Sequence, residues 1–175
     1  EAFHNMGYRV VFVTGAISRL SKMKKDFRIE FIESHSTNKL IEEKENFFSY
    51  TWFTNWHPVN LRNWALNNLL YNFFKKYSLL LKDKKLFDFI KDSDAFIFES
   101  FPGIFLFDTF NDLCGNSKFV YRVSDDMRLL NLHPVVIDFE RKVLPKFDLV
   151  SVPSEYIKNI FPDLKNIKLQ YHGIN

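Results

Sequence analysis

The spacing of apolar and polar positions changes period several times along the chain, and each change marks an element. Residues 1–6 are short and amphipathic, and Gly7 follows them as a helix C-cap would. Residues 8–14 (YRVVFVT) form an apolar run closed by Gly15, which predicts a buried strand. Residues 27–33 alternate apolar and charged side chains, as an edge or half-exposed strand would. Residues 34–46 are polar and predict an exposed loop. From Asn60 onward Leu66, Leu69, Leu70, Phe73, Phe74 and Tyr77 recur at helical spacing, which predicts a helix packed on the core. A charged turn and a short helix follow over 82–92.

The second half alternates more regularly. Residues 95–98, 119–123, 148–152 and 167–171 read as strands, and residues 104–113, 134–144 and 154–160 as helices between them. Strands alternating with helices predict an α/β fold, a Rossmann-like doubly wound parallel sheet. In such sheets ligands bind beyond the carboxyl ends of the strands. Two strands here end in carboxylates. The run 95–98 stops at Glu99 before Ser100-Phe101-Pro102-Gly103, and the run 119–123 stops at Ser124-Asp125-Asp126.

Composition narrows the class. The chain has 175 residues, 46% hydrophobic and 18% aromatic, with 21 Phe, which suits one packed domain and excludes disorder. The net charge of +3 does not argue for nucleic acid, yet it permits contact with an anionic membrane surface. Cys114 is the sole cysteine, which rules out a disulfide within the chain and fits a reducing compartment. No signal peptide is visible. Residues 61–81 are too polar to span a bilayer. Both ends look cut, so residues 1–175 are expected to be one domain of a longer protein.

Three stretches hold candidate chemistry. Residues 18–25 (SRLSKMKK) form a basic loop or short helix, either solvated or in contact with a phosphate or headgroup. Residues 47–64 gather all three tryptophans, Trp52, Trp56 and Trp64, around His57-Pro58. That stretch is either a strand plus loop covering the core or a surface for a sugar or a lipid interface. His57 reads as structural, with a binding role as the alternative. The Asp125-Asp126 pair is the third. One carboxylate in a partly desolvated cleft suits general-base work on a hydroxyl, while an N-cap for the segment at Met127 is the competing role. Adjacent residues on extended chain point to opposite sides, which disfavours a shared metal ion. There is no P-loop, no GxGxxG, no nucleophile elbow and no metal-type Cys/His spacing.

Several segments together resemble a known family. Residues 118–125 (KFVYRVSD), 18–26 (SRLSKMKKD), His57-Pro58-Val59-Asn60 with Arg62 and Trp64, 93–100 (SDAFIFES), and 148–154 with His172-Gly173-Ile174 occur in the family's order. The chain thus resembles the amino-terminal half of the GT-B glycosyltransferases typified by the membrane-associated glucuronosyltransferase of xanthan biosynthesis. The family's first strand and its carboxyl-terminal, nucleotide-binding domain have no counterpart here. The resemblance implies an inverting, metal-independent enzyme with Asp125 as its base; the family carries Gly where this chain has Asp126. It implies that Asp126, Glu99, His57, Trp52, Trp64, Arg62 and Tyr121 bind or support the acceptor, and that Arg19, Lys22, Lys24 and Lys25 touch the membrane. The acceptor would be a lipid-linked oligosaccharide at the cytoplasmic face of the membrane. By analogy with the family the nucleotide-sugar donor would be UDP-linked, with glucuronate as its sugar, and would be held mainly by the other domain, with no further cofactor and no nucleic-acid partner. A noncatalytic Rossmann-like binding domain and a GT-B enzyme with a soluble acceptor are the rival readings.

Overall fold

The computed structural model describes residues 2–23, 29, 30, 32 and 36–171. In chain order the elements are α1 (Ala2–Asn5), β1 (Val10–Ser18), α2 (Arg19–Met23), β2 (Leu40–Lys44) and β3 (Phe47–Thr54). Next come α3 (Trp64–Phe74), α4 (Lys84–Ile90), β4 (Ala95–Glu99), α5 (Phe107–Leu113) and β5 (Lys118–Arg122). The chain closes with α6 (Pro134–Val143), β6 (Leu149–Val152), α7 (Glu155–Lys158) and β7 (Ile167–Leu169). It divides into two compact units, Glu1–His57 with Leu79–Lys91, and Pro58–Ser78 with Asp92–Asn175.

The first unit holds a three-stranded sheet ordered β1-β3-β2, with β1 parallel and β2 antiparallel to β3. β1 outruns its predicted end at Gly15. A register shift between Thr14 and Ile17, with Ala16 at φ +58°, carries the strand on to Ser18. Residues 34–46, expected as loop, contain β2, whose Glu42, Glu43 and Lys44 give the sheet a charged edge that resists pairing with other chains. Residues 27–33, expected as a strand, are helical at Ile29, Glu30 and Ile32. Ile29 and Ile32 join Ile17 and Phe53 in a small core, and a spacing of three puts both on one helical face. Short apolar patterns satisfy either period, and burial chose the helical one. α4 starts at Asp83, whose carboxylate accepts the Leu86 N–H at 3.1 Å. Its Leu86 and Ile90 are buried, as are Tyr50 and Trp52 of β3.

The second unit is α/β and Rossmann-like. Its four strands run parallel in the order β4-β5-β6-β7. In β5, Phe119 and Tyr121 are buried while Lys118 and Arg122 are exposed, the period of two expected of a strand. The core is aromatic: Phe107 and Phe147 lie 4.4 Å apart, Phe96 stacks on Phe119 at 4.9 Å, and Tyr121 meets Phe147 at 5.3 Å. Each such ring contributes roughly 1.5–3 kcal/mol by burial. After β4 the chain makes a buried 3-10 turn, Pro102–Leu106. A Cβ on Gly103 would meet the Phe101 ring at 2.0 Å, so a side chain there requires that ring to move.

α3 differs most from expectation. Asn63 caps it, accepting the Leu66 N–H at 3.1 Å, and Phe74 is buried as predicted. Leu66, Leu69 and Phe73 are exposed, Leu69 to 74%. The polar Asn67 is buried in their place, accepting the Leu61 N–H at 3.0 Å and donating to Asn60 Oδ1 at 3.0 Å. A side chain that satisfies the backbone of the preceding loop took the inward position, and the leucine stripe turned outward.

Candidate functional site

The carboxyl ends of β4 and β5 lie side by side, with Glu99 opposite Arg122 in register. The two form an ion pair, each half exposed. Glu99, one of the two strand-end carboxylates, is therefore engaged by the neighbouring strand. The Ser124 N–H donates to the Ser100 hydroxyl oxygen at 3.2 Å, which ties the two strand ends together.

Beyond Ser124 the two aspartates part. Asp126 is buried and Asp125 is exposed. Asp126 is held by Arg128 in a bidentate pair, Nε to Oδ1 at 2.8 Å and Nη2 to Oδ2 at 2.6 Å. The Arg128 backbone N–H also donates to Oδ1, at 3.0 Å. These bonds hold the Asp126 carboxyl below the usual carboxylate range, the Arg128 side chain foremost, against the opposing effect of burial. Asp126 is thus an internal anchor of the turn, and Asp125 is the carboxylate that faces solvent.

Tyr121 lies under this turn, wholly buried, on the inward set of β5. Its hydroxyl donates to Glu140 Oε1 of α6 at 2.5 Å. Burial foremost, then the Glu140 charge, push the phenol well above its ordinary value. Glu140 is only 4% exposed and is pushed up to about 7, with burial the largest cause. The Tyr121 bond and the charges of Arg141 and Arg128 oppose that rise, while Asp126 adds to it. Composition and motif spacing did not single out Glu140. The signal was present nonetheless: α6 buries Val136, Glu140 and Val143, a helical stripe with a carboxylate at a core position.

The other predicted site residues fall in different surroundings. In the first unit Ser18 Oγ and His57 Nδ1 are hydrogen-bonded at 2.8 Å, so the basic segment and the His-Pro stretch meet there. Ser18 also accepts the Leu20 N–H at 3.1 Å and stands opposite Thr54 at the carboxyl ends of β1 and β3. Trp52 is 1% exposed and belongs to the core of that unit, where it has no face for an acceptor. Arg19 is exposed at the start of α2. The Lys22 side chain, Lys24 and Lys25 lie outside the described residues.

In the second unit Trp64, the first residue of α3, is 80% exposed, and Arg62 is exposed at φ +55°. On a helix, positions 66, 69 and 73 share one side. That side of α3 reads Leu, Leu, Phe, all three exposed, and the exposed Arg62 and Lys76 lie just outside the two ends of the helix. Among the described residues no three His, Cys, Asp or Glu side chains cluster as metal ligands would, and no helix is long and apolar enough to cross a membrane.

Two comparisons bear on this arrangement. Residues 1–153 match the family model described as glucuronosyltransferase GumK, N-terminal domain. The chain is also similar to the UDP-glucuronate:glycolipid 2-beta-glucuronosyltransferase of Xanthomonas campestris pv. campestris, 26% identical over 158 residues. That alignment covers 90% of this chain and 38% of the relative.

Proposed function

The chain belongs to the family of GumK glucuronosyltransferase N-terminal domains, and from that membership we propose that it is the acceptor-side, base-bearing half of a GT-B enzyme. In this reading the enzyme transfers glucuronate from UDP-glucuronate to a glycolipid acceptor, with inversion and without a metal ion. The reading rests chiefly on the contrast at the end of β5. Asp126 is sequestered by Arg128, while Asp125 stands exposed at the strand end where α/β sheets present their ligands.

Asp125 takes the proton from an acceptor hydroxyl as the oxygen attacks the anomeric carbon. The new glycosidic C–O bond forms on the face opposite the nucleotide. The bond from the anomeric carbon to the diphosphate breaks, and the electron pair leaves with UDP. Attack from the opposite face inverts the anomeric centre. The donor is held by a second domain, and the oligosaccharide part of the acceptor lies along this one.

The acceptor is a lipid, so the domain works at the cytoplasmic face of the membrane as a peripheral protein in exopolysaccharide synthesis. The exposed side of α3 suits that surface: Leu66, Leu69 and Phe73 enter the interface, and Arg62 and Lys76, just beyond the helix ends, meet anionic headgroups. Each such cation contributes roughly 1 kcal/mol near an anionic surface. Arg19, Lys22, Lys24 and Lys25 are a second basic contribution.

The deciding experiment is Asp125→Asn in the full-length protein, assayed with UDP-glucuronate and a lipid-linked oligosaccharide. Loss of a general base lowers kcat by about 10²–10⁴-fold. A near-normal rate would remove Asp125 from the chemistry and favour a noncatalytic binding domain. Flotation with phosphatidylglycerol vesicles at low salt tests the membrane face, and no flotation would favour a soluble acceptor.

A further inference from the structure

The Ser124–Asp126 turn is held at both ends by groups that converge on one buried carboxylate. On one side the Ser124 N–H donates to Ser100 at 3.2 Å. The Ser100 hydroxyl opposes the rise in the Tyr121 phenol's pKa, and that phenol donates to Glu140 Oε1 at 2.5 Å. On the other side the Asp126 carboxylate, locked by Arg128, lies within electrostatic reach of Glu140. Asp125 sits between these two attachments.

We propose that Glu140 is a positioning residue, which through Tyr121 and Ser100 on one flank and Asp126 on the other fixes the turn that carries Asp125. The functional consequence rests on Asp125 being the base. The geometry makes the ionisation of Glu140 a conformational variable. When ionised, Glu140 accepts strongly from Tyr121 and repels Asp126, which Arg128 must then hold alone. When protonated, it can itself donate, its bond to Tyr121 weakens, and the repulsion of Asp126 ends.

The groups that face Glu140 are few. Tyr121 comes from β5, Asp126 and Arg128 from the turn, and Arg141 from α6 itself. The 3-10 turn Pro102–Leu106, packed on α6, carries no titratable side chain. Elsewhere around α6, Tyr71 of α3 is bonded to Asp138, and Lys146 is paired with Asp108. Burial holds Glu140 at about 7, so the change of state falls near neutral pH.

The test uses the full-length protein and two readouts. The first is hydrogen–deuterium exchange of the segment containing the Ser124 amide, as a protection factor across pH 6–8, for the natural protein, Glu140→Gln and Tyr121→Phe. The natural protein should show a pH-dependent change of about threefold to tenfold, the net worth of one hydrogen bond. Glu140→Gln should abolish the pH dependence, and Tyr121→Phe should lower protection at every pH. The second readout is the pH profile of kcat and KM. Glu140→Gln should move the neutral limb of kcat and leave KM nearly unchanged.

A pH-independent protection factor in the natural protein, or a Glu140→Gln variant that only lowers the melting temperature, overturns the proposal. Asp125→Asn measured alongside separates the two ideas. If that variant stays active while Ser124 protection still follows Glu140, the base assignment fails and the positioning role stands. If it is inactive while protection ignores Glu140, the reverse holds.

Discussion

α3 and α6 both carry apolar residues at helical spacing, and the fold uses them in opposite ways. α3 turns Leu66, Leu69 and Phe73 outward and buries Asn67. α6 buries Val136 and Val143 and takes Glu140 inside with them. The two helices meet at His133, whose Nε2 donates to the Asn67 carbonyl at 3.1 Å and whose Nδ1 accepts the Val135 N–H at 3.2 Å, capping α6. The difference teaches that burial follows hydrogen-bond satisfaction as well as hydrophobicity. Asn67 and Glu140 are inside because each has a partner there. The leucines are outside because the inward side was already occupied.

The largest effect on this contrast should come from breaking the junction. His133→Ala removes the α6 cap and the bond to α3 together and leaves the Asn67 carbonyl without that donor. The expected cost is about 2–4 kcal/mol in urea denaturation. A loss under 0.5 kcal/mol would show that the two helices are held by other contacts. Tyr121→Phe should follow, at about 1–3 kcal/mol, because it strips the donor from a buried carboxylate.

The pH dependence of stability separates two groups of opposite sign. Glu140 is raised from 4.5 to about 7, so the folded state holds its proton more tightly, and stability falls as pH rises from 4.5 through 7. His133 is depressed below 6.5, chiefly by burial, so its contribution is present above that value and is lost as pH falls below it. Glu140→Gln should remove the first slope and leave the second, which melting temperatures between pH 4.5 and 8 would show. The smallest effect on stability belongs to the outer face of α3. Leu69→Gln should change stability by less than about 0.5 kcal/mol, as exposed substitutions do, while weakening flotation with anionic vesicles. A clear destabilisation would mean that the stripe packs against something within the protein.

Much of the second unit was legible along the chain. The runs at 95–98, 119–123 and 148–152 became β4, β5 and β6, Pro134 opened α6, and Ser154 capped α7, accepting the Ile157 N–H at 3.3 Å. The first unit was less legible. The apolar/charged alternation of residues 27–33 suggested a strand although the spacing of three between Ile29 and Ile32 suits one helical face, and β2 was hidden in a charged stretch because hairpin pairing supplied what apolar content did not. At the candidate site the acidic turn was visible, but its supports were not. Arg128 is two residues from Asp126, yet nothing local showed which of the two acids it would take.

The sequence by itself determined the alternation of strands and helices, the ends of β4 and β5, and the presence of carboxylates there. These depend on hydrophobic period and turn chemistry, which act over a few neighbouring residues. Only the tertiary structure decided that Tyr121 and Glu140, nineteen positions apart, share a proton bond under the turn. It likewise joined Ser18 to His57 across thirty-nine positions and turned the α3 leucines outward. Such pairings are set by sheet register and by where each crossover returns, and a buried polar group stays wherever that geometry brings it a partner.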